Sequence, residues 1–204
     1  MNINLDGRPL DENFVPGETL QQFASRVREK HLRQRMVVSI AFDGRTLLEE
    51  ELVESLNKPV AGVDRLDLVS AEPGTLVASA FREVASQLAD TGDRYESLAD
   101  EVQGTESSKA ISQLGEFLTV WQTCQKAILE GSGMLASDLT ALNCDGRTVR
   151  EHLDTLSEKL RGLRGAFEAG DMVLLSDQLR YEMPEVCRTW DGVMRNLAGQ
   201  VAPA

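Results

Sequence analysis

Ile3 and Leu5 alternate with polar Asn2 and Asn4, the two-residue period of a half-buried strand. A second short strand is expected around Asn13-Phe14-Val15, closed by Pro16-Gly17. Thr19 followed by Gln22 spells a capping box, which satisfies two amide donors that a helix start leaves orphaned. A helix therefore runs from Leu20 to about Leu32, with Leu20, Phe23, Val27 and Leu32 facing inward. Met36 to Phe42 is the strongest strand signal in the chain, and Asp43-Gly44 turns it. After a short connection, Arg65-Leu66-Asp67-Leu68-Val69 alternates again as a last strand.

From Pro73 the period becomes helical. Val77, Phe81, Val84, Leu88, Thr91, Tyr95, Leu98 and Val102 follow alternating steps of four and three, the seam of one long helix. Gly104-Thr105 ends it. Ile111, Leu114, Leu118, Trp121, Cys124 or Gln125, and Ile128 continue the pattern in a second helix, which Gly131-Ser132-Gly133 interrupts. Thr148 and Glu151 form another capping box, opening a third helix with Val149, Leu153, Leu156, Leu160, Leu163 and Phe167 inward. Gly170 closes that helix and Asp171 caps a fourth, lined by Leu175, Leu179, Met183, Val186, Trp190, Val193 and Leu197. Pro184 lacks an amide hydrogen, so it kinks the fourth helix or divides it.

The fold class that follows is α+β. In residues 1–72, element order and spacing resemble the β-grasp, or ubiquitin-like, superfold. Residues 73–204, with four amphipathic segments and short connections, read as an antiparallel four-helix bundle. The chain's last residues lack the Gly-Gly pair that a conjugated modifier needs, so a modifier role is not expected.

Composition narrows the function. The chain has 204 residues and a net charge of −12. Residues 1–72 carry −4 and residues 73–204 carry −8, so neither half offers a basic patch for a phosphate backbone and no nucleic-acid partner is expected. The first residues hold no secretory apolar stretch, and no run is long enough to span a membrane. Cys124, Cys144 and Cys187 are odd in number and widely spaced, which predicts reduced thiols in a cytoplasmic protein.

Candidate chemistry is sparse. Asp-Gly-Arg occurs at Asp6, Asp43 and Asp145, and turn formation explains each occurrence. His31 and His152 fall in different halves, and the acids Glu49-Glu50-Glu51 and Asp154 with Glu158 read as solvated surface, so no metal site is expected. Cys124 and Cys187 sit near apolar seams as small hydrophobes, whereas Cys144 lies in a loop and is expected to be more exposed. No base and cradle accompany a nucleophile, and no Gly-rich loop opens a helix as a phosphate site would. The expectation is a non-enzymatic chain without a cofactor.

The segment from Leu174 to Pro184, with Trp190 just beyond, interrupts its seam with Tyr181 and Glu182. Such a kinked helix presents a polar and aromatic groove to a partner helix. Apolar residues off the main seams are Leu76, Phe117, Leu129, Met172, Leu174 and Met194. The candidate partner-binding residues are therefore Leu174, Tyr181, Glu182, Trp190 and Met194. Asp171, Leu175, Asp177, Leu179, Tyr181-Glu182, Pro184 and Trp190 together resemble a pattern in uncharacterised bacterial proteins of flagellar gene neighbourhoods. The helical half is similar in size and helix order to flagellar secretion chaperones. That resemblance implies an adaptor or export chaperone that binds the amphipathic helix of a flagellar protein. Two alternatives stand beside it: a homo-oligomeric scaffold, a homodimer in its simplest form, and a small-molecule binder using a cleft between the halves.

Overall fold

Two Asp-Gly pairs build the edges of the first sheet. Asp6 and Gly7 take φ of 50° and 75°, and Asp43 and Gly44 take 50° and 82°. Positive φ at both central residues is the backbone of a two-residue hairpin whose twist matches its strands. The first pair joins β1 (Asn2–Leu5) to β2 (Arg8–Pro9), and the second joins β3 (Met36–Phe42) to β4 (Arg45–Thr46). The structure, a computed structural model, describes residues 1–60, 62–104 and 107–203, with side chains at all of them except 49, 107–111 and 113. Thr105 and the side chains of Glu49 and Ile111 lie outside what is described.

The fold is mixed α+β, in two compact units, Met1–Pro73 and Gly74–Ala204. In the first unit the sheet order is β2-β1-β5-β3-β4, where β5 is Arg65–Ala71. Central β5 runs parallel to β1 and antiparallel to β3, so Leu66 pairs with Ile3 and Phe42, and Leu68 with Leu5 and Ile40. Helix α1 (Leu20–Val27) begins at the capping box and lays Leu20, Phe23 and Val27, all fully buried, into the core with Ile3, Ile40, Leu66 and Leu68. It stops as an α-helix at Val27, and a single π-helical turn over Arg28–Leu32 carries Leu32 into cover.

Two expectations fail here. No strand forms at Asn13–Val15, because the tight Asp6-Gly7 turn pairs Leu5 with Arg8 at once. That segment braces α1 instead: Phe14 stacks on Phe23 at 4.1 Å, and the Asn13 carbonyl accepts from Arg26. The short connection before β5 holds a helix, α2 (Glu49–Leu56).

Among the described residues, the second unit has six α-helices where four helices were expected: α3 (Pro73–Gly92), α4 (Tyr95–Gln103), α5 (Ser107–Leu135), α6 (Val149–Glu168), α7 (Met172–Asp177) and α8 (Met183–Val201). The seam from Val77 to Val102 is buried throughout, yet its helix breaks at Asp93-Arg94. Thr91 donates to the Gln87 carbonyl at 2.6 Å and Arg94 bonds back to Thr91, which tightens the turn. Conversely, α5 runs straight through Gly131-Ser132-Gly133. A Cβ at Gly131 would lie 2.9 Å from Val77 Cγ1, so close packing on α3 holds the helix against its weak propensity. The fourth segment divides as Pro184 requires. The proline falls in the first turn of α8, where no amide partner is needed, after a π-helical turn over Gln178–Glu182.

Inner faces also differ from the expected seams. Phe117 is buried and Leu118 is exposed, so α5 presents Phe117, Trp121, Cys124 and Ile128 inward. In α6 the buried face holds Val149, His152, Leu156, Leu163 and Ala166, whereas Phe167 is exposed. Among the described residues, no helix is long and apolar enough to cross a membrane.

Candidate functional site

A third Asp-Gly hairpin positions the site. Asp145 and Gly146 take φ of 53° and 84° and join β6 (Asn143–Cys144) to β7 (Arg147–Thr148). Thr148 then caps α6, accepting from the Glu151 amide while Glu151 Oε2 accepts from the Thr148 amide. Hairpin and cap together fix where α6 begins and which residues face α8. Residues four to eleven positions on, His152, Leu156 and Lys159, line one wall of a cavity of about 350 Å³. The other wall is Tyr181 and Glu182 from the π-helical turn, with Glu185, Val186, Thr189 and Trp190 from α8.

The floor is apolar. Leu156, His152 and Trp190 are buried, and the His152 and Trp190 rings meet edge-to-face at 6.2 Å. His152 Nε2 donates to the Cys144 carbonyl at 3.2 Å, which ties the ring to the hairpin and fixes a proton on that nitrogen. The rim is charged. Lys159 Nζ donates to Glu182 Oε2 at 2.7 Å across the opening, with both side chains about two-fifths exposed. Arg147 donates to the Glu151 carbonyl at 3.0 Å and to Thr155 Oγ1 at 2.8 Å, and forms no ion pair among the described residues. Tyr181 projects at the rim, 72% exposed.

Of the five residues singled out in sequence, Tyr181, Glu182 and Trp190 meet here. Leu174 is exposed one helix earlier and does not line the cavity. Met194 is fully buried in the core, as is Phe117, so neither belongs to a surface. The α6 wall was missed. The sequence period puts Leu153, Leu156 and Leu160 on the inner face of α6, while its groove side carries Leu156 together with His152 and Lys159. His152, one turn after a capping box and among apolar positions, was the available signal.

Among the described residues, no cysteine or serine lines the cavity. Cys144 is buried, not exposed as expected, and burial with neighbouring Asp145 pushes its thiol up, away from the reactive thiolate. Burial pushes the Cys187 thiol up to about 12. Among the described residues, no group of three or more His, Cys, Asp or Glu is placed to hold a metal ion. The arrangement suits binding of apolar groups between charged lips.

A family profile described as a domain of unknown function (DUF8042) matches residues 80–192. The chain belongs to this family. The match begins inside α3, ends in α8 two residues past Trp190, and contains every residue that lines the cavity. No curated protein and no solved structure matches the chain.

Proposed function

We propose that this DUF8042 protein is a non-enzymatic interaction module whose groove between α6 and α8 receives the apolar side chains of a partner's amphipathic helix. The observation that carries the reading is the composition of the groove: an apolar floor of Leu156, Val186, Trp190 and the His152 ring under an exposed Tyr181. Paired helices with such a floor accept anchors spaced i, i+4 and i+7. Aromatic groups at a rim supply large contact area at small entropic cost. The sheet order β2-β1-β5-β3-β4 with α1 packed on it supports a β-grasp-like first unit. The second unit is read as a four-helix bundle with its first and fourth helices each broken once. A cytoplasmic adaptor or export chaperone is the form of the proposal that the flagellar resemblance adds.

The test uses the full chain and fluorescein-labelled helical peptides with leucines at i, i+4 and i+7, a scrambled control, and amphipathic tails of flagellar export substrates. Anisotropy should give saturable binding for the patterned peptides and none for the scramble. Tyr181→Ala, which removes an exposed ring and leaves the fold intact, should weaken binding about tenfold. Light scattering at the same concentrations should show the free protein as a monomer. Absence of binding by every patterned peptide, or self-association that occludes the groove, overturns the reading.

A further inference from the structure

The two lips of the groove differ in sign. The lip formed by β7 and α6 carries Arg147 and Lys159, and the opposite lip carries Glu182 and Glu185. His152 and Trp190 meet at one end, while Lys159 and Glu182 meet at the other, so α6 and α8 run antiparallel and each lip is continuous. Among the described residues, Lys159 and Glu182 alone bridge the lips. Exposed pairs of this kind contribute little to stability, so an incoming charge can replace either member at small cost. Glu185 pairs with Arg188 on its own helix, and Arg147 hydrogen-bonds within its own lip, so neither is used in a bridge across the opening.

Resting on the docking reading above, we infer that the occupant is a helix of a partner protein with one acidic and one basic flank beside its apolar anchors. The acidic flank lies along the lip of β7 and α6, against Arg147 and Lys159. The basic flank lies along the opposite lip, against Glu182 and Glu185. The Lys159–Glu182 bridge then opens into two intermolecular pairs. Because the lips are unlike, this arrangement also fixes the direction in which the helix lies.

Three peptides with identical leucine anchors test it: one with split Glu and Lys flanks, one with all Lys and one with all Glu. The net charge of −12 alone ranks the all-Lys peptide first. The unlike lips instead rank the split peptide first, by about fivefold over either other peptide at about 20 mM salt, with the difference shrinking as salt rises. Glu185→Lys, an exposed substitution whose fold is checked by circular dichroism, should cut the split peptide's advantage and favour the all-Glu peptide. If the all-Lys peptide binds tightest and Glu185→Lys leaves the order unchanged, the inference fails and the docking reading stands. If no peptide binds, both fail.

Discussion

Gly131 and Gly133 stand two residues apart in α5 but do different work. At Gly131 the space for a Cβ is taken by Val77 Cγ1 at 2.9 Å and Leu139 Cδ1 at 3.1 Å. Valine is stiff at χ1, so its methyl cannot swing away. At Gly133 a Cβ meets nothing within 4 Å. Alanine in a helix interior gains roughly 0.5–1 kcal/mol over glycine. Gly133→Ala should therefore stabilise the protein by about that amount. Gly131→Ala should destabilise it by about 1 kcal/mol net, because overpacking costs about 1–3 kcal/mol. Denaturant titration followed by tryptophan emission checks both, since Trp121 and Trp190 sit in the same core. This contrast was invisible in the sequence, where the two glycines read together as a helix break. Propensity is local, and the contact that overrides it comes from α3.

At the scale of elements, what could be read directly was whatever the backbone decides for itself. Both capping boxes form as their residues predict. All three Asp-Gly pairs make hairpins, and two of their aspartates also pin β5: Asp6 accepts from the Ser70 amide at 2.7 Å and Asp43 from the Arg65 amide at 2.8 Å. What escaped was set at a distance, as in the rotation of the α6 face toward His152 and the bracing of α1 by residues 12–18. That bracing is partly ionic. Glu12 accepts from His31 at 2.9 Å and from Lys30 at 3.1 Å, and also pairs with Arg26, which Glu18 binds from the other side. These donors, His31 foremost and then Lys30, hold the Glu12 carboxyl at about 2, below its ordinary 4.5. A carboxyl depressed in the folded state contributes stability that is complete above its unfolded value and is lost as pH falls through its folded value. Protection of the α1 amides should therefore decline between pH 4.5 and 2. Glu12→Gln should lower protection at pH 6 and flatten that decline. Hydrogen exchange resolved to residues 20–32 measures it, and an unchanged pH profile in the variant would refute the role given to Glu12.

Across the whole molecule, both units are acidic, and the helical unit holds every cysteine and tryptophan. Cys124, Cys144 and Cys187 are each at most 1% exposed. Burial raises all three thiols, with Cys187 adding to the effect at Cys124. Reaction with a thiol reagent needs both access and a thiolate, and the folded unit denies both. Labelling by Ellman's reagent at pH 8 should therefore proceed only through opening of the second unit. Its rate should be negligible in native buffer and should rise with denaturant along the tryptophan-monitored unfolding curve. Gly131→Ala should speed labelling and Gly133→Ala should slow it, each in proportion to its change in stability. Cys144 tests the site itself, because its carbonyl holds the His152 ring in the groove floor. A peptide bound in the groove should slow labelling of Cys144 together with the other two. If Cys144 reacts rapidly in the native protein, the hairpin does not bury it, and the geometry that anchors His152 beneath the groove is wrong.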